Sequence, residues 1–93
     1  KSFTAAKKYG EVIFVTTGFV PLNDMEAVRQ KLAKYVELSS PSDYVILLGP
    51  SVINCMLTVL WFAKHGYVNV LSWDGKKEDY NHFVIGVNQV TTI

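Results

Sequence analysis

The sequence has little charge and almost no cysteine. Charged side chains make up 18 % of its 93 residues, against 49 % hydrophobic ones, and the net charge is +1. Such a chain has no overall field that would attract nucleic acid or an anionic membrane. We therefore expect no nucleic-acid partner, and we expect the surplus of apolar residues to be covered inside the fold or by another chain.

The lone cysteine, Cys55, cannot form a disulfide within the chain, and its apolar surroundings predict a buried helix. A free thiol favours a reducing compartment. No apolar run of signal-peptide length follows Lys1. The longest apolar stretch, 52–63, has about a dozen residues where a membrane span needs roughly twenty. These features predict a cytoplasmic protein with no membrane segment.

Sequence patterns that carry chemistry are also scarce. One cysteine and two separated histidines, His65 and His82, provide no metal-ligand spacing. The stretch Gly49-Pro50-Ser51 has neither the dinucleotide-binding glycine pattern, nor the lysine of a phosphate-binding loop, nor the serine-hydrolase elbow. We expect no metal and no cofactor, and these absences favour a protein that is not an enzyme.

What the chain does contain is a regular alternation of strand and helix patterns. Short apolar, β-branched runs alternate with two longer segments of helical periodicity. Strand, helix, strand, helix and strand are predicted in turn over Glu11–Thr17, Met25–Val36, Asp43–Leu48, Val52–Lys64 and Tyr67–Trp73. This order predicts two crossover units and hence three parallel strands in a small α/β, Rossmann-like core.

The remaining segments complete a single domain spanning 1–93. The turn at 74–77 predicts that Tyr80–Val87 returns antiparallel to the last parallel strand. Residues 1–9 form an N-terminal arm, and 88–93 are predicted to be an unstructured or partner-bound tail. Asn23 or Asp24 is expected to cap the first helix, with Glu26 in capping-box spacing, and Ser51 is expected to cap the second.

The ends of the predicted parallel strands are the place where a ligand would bind, because open α/β sheets bind ligands beyond their carboxyl ends. Two helix N-termini at this rim would favour an anion. The alternative is that Gly49 only permits a tight corner and Ser51 only caps its own helix. The candidate ligand residues are Thr17, Gly18, Gly49, Ser51, Asn54 and Asp74.

The second helix is unusual because its outer face has no charge before Lys64. A helical wheel assigns Val52, Ile53, Met56, Val59, Leu60 and Ala63 to the core face. The opposite face then presents Leu57, Trp61 and Phe62. Either Phe3 and Tyr9 of the arm cover these side chains, or they form a subunit contact. We expect a homo-oligomer or a protein partner.

Two stretches, Ser42–Asn54 and Lys64–Asp74, resemble a group of small single-domain proteins of bacteriophages and plasmids whose members have no established activity. They share a strand, a glycine, a helix and an hGxVNxLxxD pattern. The resemblance implies the same order of elements and an origin in a mobile element. A looser similarity links Gly49 and Ser51 to CRISPR-associated sensors, which hold a cyclic nucleotide with a glycine and a small hydroxyl residue before a helix.

Together these features predict a non-enzymatic phage or plasmid accessory protein that acts by self-assembly or by binding a macromolecular partner. The alternative is a nucleotide- or anion-binding sensor that uses the rim at the strand ends.

Overall fold

The computed structural model describes residues 3–15 and 23–93, which form an α/β domain with a mixed four-stranded sheet. A short helix α1 (Phe3–Ala6) continues into a single 3-10 turn. The longer elements are α2 (Met25–Leu38), β1 (Tyr44–Ile46), α3 (Ser51–His65), β2 (Val68–Asp74), β3 (Asp79–Ile85) and β4 (Val90–Thr92).

The strands lie in the order β1-β2-β3-β4. β1 and β2 are parallel and joined through α3, with Val45 opposite Val70. β3 returns antiparallel to β2, as the turn at 74–77 predicted. Residues 90–92 of the predicted tail are not unstructured, because β4 pairs with β3 and sets Val90 opposite Ile85. A tight turn makes this pairing possible, since the Gly86 amide donates to the Gln89 carbonyl at 2.8 Å.

The predicted first strand, Glu11–Thr17, is not seen in its described part. Residues 11–15 belong to no strand, and Ile13 and Phe14 are more than half exposed. Thr16 and Thr17 lie outside the described residues. The described residues therefore contain one parallel pair of strands rather than three parallel strands, because residues 11–15 are not hydrogen-bonded to the edge of β1.

Helix α2 begins and packs as its sequence predicts. The Asp24 side chain caps it by accepting a hydrogen bond from the Ala27 amide at 3.2 Å. Val28, Leu32 and Val36 recur every four residues and are buried, so one stripe of the helix faces the core.

The sheet carries one core cluster on each face. α2 and α3 cover one face, where Val45 and Val68 of the sheet meet Leu32, the most deeply buried residue. On the other face, Ala6 of α1 packs with Leu71 and Tyr80. The register explains the division, because paired residues such as Ile46 and Leu71 point to the same face.

Helix α3 is rotated relative to the helical-wheel prediction. Its buried residues are Ile53, Leu57 and Trp61, whereas Val52 and Val59, expected in the core, are 46 % and 62 % exposed. Phe62 is half-buried. Cys55, expected to be buried, is exposed. The helical wheel predicted an apolar helix correctly but did not identify which face is buried, because α3 carries apolar residues on nearly every side.

The burial of Trp61 generates a stability prediction. Replacing Trp61 by Ala should lower the free energy of unfolding by about 3–5 kcal/mol, because a large side chain leaves the core. The matched change Val59→Ala, on the exposed face, should cost less than about 1 kcal/mol. Urea unfolding followed by circular dichroism measures both. Equal losses would contradict the orientation of α3 described here.

Candidate functional site

The corner between β1 and α3 is a tight turn that glycine makes possible. Gly49 has φ +77°, in the left-handed region, and it is exposed. Pro50 occupies the N-cap position, and its carbonyl accepts hydrogen bonds from the Ile53 and Asn54 amides at 3.1 and 3.2 Å. Ser51 is the first residue of α3, and its side chain makes no capping hydrogen bond, so the predicted Ser51 cap is wrong.

Asp74 is engaged in the turn between β2 and β3. Its Oδ1 accepts hydrogen bonds from the Lys76 amide at 3.0 Å and from the Lys77 amide at 3.4 Å. Its Oδ2 accepts from Asn81 Nδ2 at 3.4 Å. The two backbone hydrogen bonds, that from Lys76 first, hold the pKa of Asp74 below its ordinary value. The carboxylate therefore stabilises a hairpin.

Four of the six predicted rim residues fall in the described part of the chain, and Thr17 and Gly18 do not. Gly49 and Ser51 are exposed at the corner, whereas Asn54 is half-buried and accepts a hydrogen bond from Thr58 Oγ1 through its backbone carbonyl. Asp74 bonds only within its own hairpin as far as the described residues go. A shared anion site at this rim stays a prediction.

A cavity of about 570 Å³ lies beside β1, a volume in the range of small-molecule pockets. Its walls come from residues 10–15, from β1 and from the buried face of α3. Trp61 lines it, and the Trp61 Nε1 donor is buried with no acceptor among the described residues. The Trp61 ring packs against His65, whose Nε2 lies 2.8 Å from Ser39 Oγ.

A polar and aromatic row crosses the opposite face of the sheet. The Tyr44 ring contacts both Tyr9 and His82 with centroids 4.9 Å apart. His82 Nε2 lies 2.9 Å from Oδ1 of the buried Asn69, whose Nδ2 donates to the Pro41 carbonyl. This row ties the loop before β1 to the sheet. The sequence did not reveal it, because its members are scattered over four segments.

The two histidines lie in different environments, so the described residues place no histidine pair at a common site. Within 3–15 and 23–93, no group of three or more histidine, cysteine, aspartate or glutamate side chains could hold a metal ion. In the same part of the chain, no helix is long and apolar enough to cross a membrane.

The C-terminal edge of the sheet is an exposed surface without charged side chains. All three residues of β4 are exposed. Val87, Val90 and Ile93 are 86 %, 63 % and 71 % exposed, and 86–93 contains no charged residue. Residues 88–93 of this edge were predicted to be a tail. The signal that could have revealed a strand is the β-branched run Val90-Thr91-Thr92 after the turn residues Asn88 and Gln89.

These features define a small α/β domain with a large cavity, an uncharged sheet edge and, among its described residues, no assembled metal or triad chemistry. A family model of phage proteins matches residues 2–87, and the chain belongs to this family, the Phage Pam3 gp32-like proteins. The match confirms the phage resemblance. No curated protein and no solved structure matches the chain.

The hydrogen bonds of Asp74 generate a pH prediction. Because its pKa is lower in the folded chain, ionised Asp74 stabilises the fold above about pH 4, and this contribution is lost as the pH falls through the lowered folded-state pKa. Asp74→Asn should therefore flatten the acid-induced loss of stability below about pH 4. Urea unfolding at several pH values measures the change.

Asp79 provides an internal control for this prediction. Its pKa is also lowered, but chiefly by the exposed ion pair with Lys8, whose Nζ lies 2.6 Å from Asp79 Oδ2. In an NMR titration at about 1 M NaCl, the pKa of Asp79 should return toward its ordinary value, because salt screens exposed charges. The pKa of Asp74 should stay low. An equal response of both carboxylates would contradict this assignment.

Proposed function

We propose that this phage protein is a non-enzymatic accessory protein that acts by self-assembly, in which two copies pair through their β4 strands. The observation that carries the proposal is the exposed and uncharged edge at 87–93. Residues 88–93, which include all of β4, lie beyond the range matched by the family model, so the proposal depends on the structure of this chain.

The backbone of β4 supports the proposal. β4 pairs with β3 on one side, and no described strand lies on its other side. Sheet edges are usually protected from pairing with other chains by lysine, proline or a bulge. Residues 86–93 contain neither lysine nor proline, and Val87, Val90 and Ile93 are exposed there. Such an edge favours the addition of another strand.

A second copy of the chain is the occupant that fits this edge best. Two antiparallel β4 strands can exchange the same hydrogen bonds about a two-fold axis, so that one surface serves both partners. No like charges would meet, because neither copy brings a charged side chain within 86–93. The product would be a continuous eight-stranded sheet.

The outer face of α3 is the competing surface for a partner. It exposes Val52, Cys55 and Val59 without charge. Unlike β4, a helix has no unpaired backbone groups along its length, and apolar side chains alone specify a partner less strongly. We therefore favour β4 over this face. The interface predicted at Leu57, Trp61 and Phe62 would require buried Leu57 and Trp61 to leave the core.

We also propose where the protein is located and consider what a Rossmann-like core would require. A single exposed thiol favours the reducing interior of the host cell. A Rossmann-like β-α-β-α-β core would require a strand within 11–17 beside β1. The nucleotide- or anion-binding alternative stays a prediction, since no described residue at the corner shows an unpartnered buried polar group. Thermal stabilisation by millimolar nucleotides would support that alternative.

The assembly proposal is tested by size-exclusion chromatography with light scattering on the full chain. The wild type should be a dimer at micromolar concentration. Val90→Lys should weaken the dimer at least tenfold, because it places like charges across the two-fold axis. The control Leu38→Lys changes an exposed residue at the end of α2 and should leave the dimer intact.

Val59→Lys separates the two candidate surfaces. It should also leave the dimer intact, because Val59 lies on α3 and not on β4. A monomeric wild type at high concentration would contradict self-assembly. Dissociation by Val59→Lys but not by Val90→Lys would assign the contact to α3 and overturn the β4 proposal.

A further inference from the structure

We propose that the free edge of β1 is a strand-acceptor site and that its occupant is Glu11–Val15 of the same chain. In this arrangement residues 11–15 form a fifth strand, parallel to β1. Pairing of residues 11–15 with β1 would account for three features. These are the cavity beside β1, the alternate sides to which residues 11–15 point, and the position of α2.

The acceptor is an unpaired sheet edge next to empty volume. β1 pairs with β2 on one side, and its other side has no strand among the described residues. The cavity of about 570 Å³ is lined there by Tyr44, Ile46 and Leu48 and, facing them, by residues 10–15. Protein interiors are normally packed as densely as organic crystals, so a domain of this size favours filling such a volume.

Residues 11–15 already place their side chains on alternate sides, as the residues of a β-strand do. Val12 packs on the α1 side of the sheet with the cluster that contains Leu71. Phe14 lies on the same side, since its ring meets the Phe3 ring of α1 edge to face at 5.2 Å. Val15 packs on the opposite side, with the core beneath α2 and α3. This alternation has the period of two that defines a β-strand.

Pairing would bury a side chain that is now exposed. By this alternation Ile13 points to the same side as Val15, yet Ile13 is 62 % exposed. As part of a strand beside β1, it would lie against the apolar core on the α2 and α3 face. The sequence supports the change, because Val12, Ile13 and Val15 are β-branched residues with strong strand preference.

The topology also fits. The chain runs from residues 11–15 through α2 to β1, as it runs from β1 through α3 to β2. α2 and α3 pack on the same face of the sheet. A parallel strand added on the free side of β1 would therefore give the second crossover the same hand as the first, as crossover connections in one sheet require.

The proposal has a consequence for assembly, and this consequence rests on the proposed β4 pairing. A domain with two free edges, β1 and β4, could polymerise edge to edge into an open-ended sheet. If residues 11–15 cover the β1 edge, β4 becomes the one edge left for pairing among the described strands. Assembly would then stop at a closed dimer.

Hydrogen exchange measured by NMR on the full chain tests the strand directly. Alternate amides among Val12, Ile13, Phe14 and Val15 should exchange at least about 100-fold more slowly than in an unstructured peptide, because strand pairing protects them. A short peptide with the sequence of residues 11–15, measured under the same conditions, provides the unstructured reference. Exchange of all four amides within about tenfold of the unstructured rate would overturn the proposal.

A matched pair of substitutions tests the burial of Ile13. Ile13 and Val59 have the same exposed fraction, 62 %, so Ile13→Lys and Val59→Lys should be equally mild if residues 11–15 stay unpaired. If they form the strand, Ile13→Lys should lower Tm by roughly 10 °C more than Val59→Lys, because a charge would enter the core. Equal shifts would contradict the strand.

Both variants are to be made in the Val90→Lys background, which carries the change designed to remove β4 pairing. Their Tm values then report on the β1 edge alone, so the strand and the dimer can fail separately. A different occupant gives a different result. A small apolar molecule, for which 8-anilinonaphthalene sulfonate serves as the probe, would bind the full chain at micromolar concentration while all four amides exchange fast, and that result would overturn the proposal.

Discussion

The packing of α3 against both α2 and the sheet is the constraint on which the rest of the structure depends. α3 connects the one parallel pair of strands, and its buried stripe of Ile53, Leu57 and Trp61 lies in the same core as α2. Both helices must then cover one face of the sheet. The short α1 covers part of the other face through Ala6. The core is therefore divided into a large cluster beneath α2 and α3 and a small cluster on the α1 side of the sheet.

The sequence was sufficient for the start of α2 and for the turn after β2, where a local interaction decides the structure, although the predicted Ser51 cap is wrong. Asp24 caps α2 through one hydrogen bond from an amide three residues away. The turn at Asp74 was equally visible, because its carboxylate binds amides two and three residues on. In each case the spacing that predicts the element is the spacing of the bond that stabilises it.

The sequence was insufficient wherever packing between distant segments decides. α3 is apolar around most of its circumference, so the periodicity could not say whether Val59 or Trp61 faces the core. β4 was missed because three residues make a strand only when a neighbour such as β3 supplies the ladder. The candidate rim depended on bringing strand ends together, and Asp74 instead bonds to its own hairpin.

The first predicted strand, at 11–17, also depends on contacts between distant segments, and its described part is not paired. The β-branched run at 11–15 predicts a strand, and Val12 and Val15 pack with opposite core clusters, yet residues 11–15 pair with no strand among the described residues. The packing of side chains on alternate sides and the hydrogen bonding of the backbone contribute separately to the free energy of a strand. In residues 11–15 the packing is present without strand pairing. Since an unpaired edge is open to any strand, intramolecular pairing at β1 would limit assembly to the other side of the sheet. If copies pair through β4 as proposed, the number of edges that the domain leaves free would determine whether they form closed pairs or open arrays.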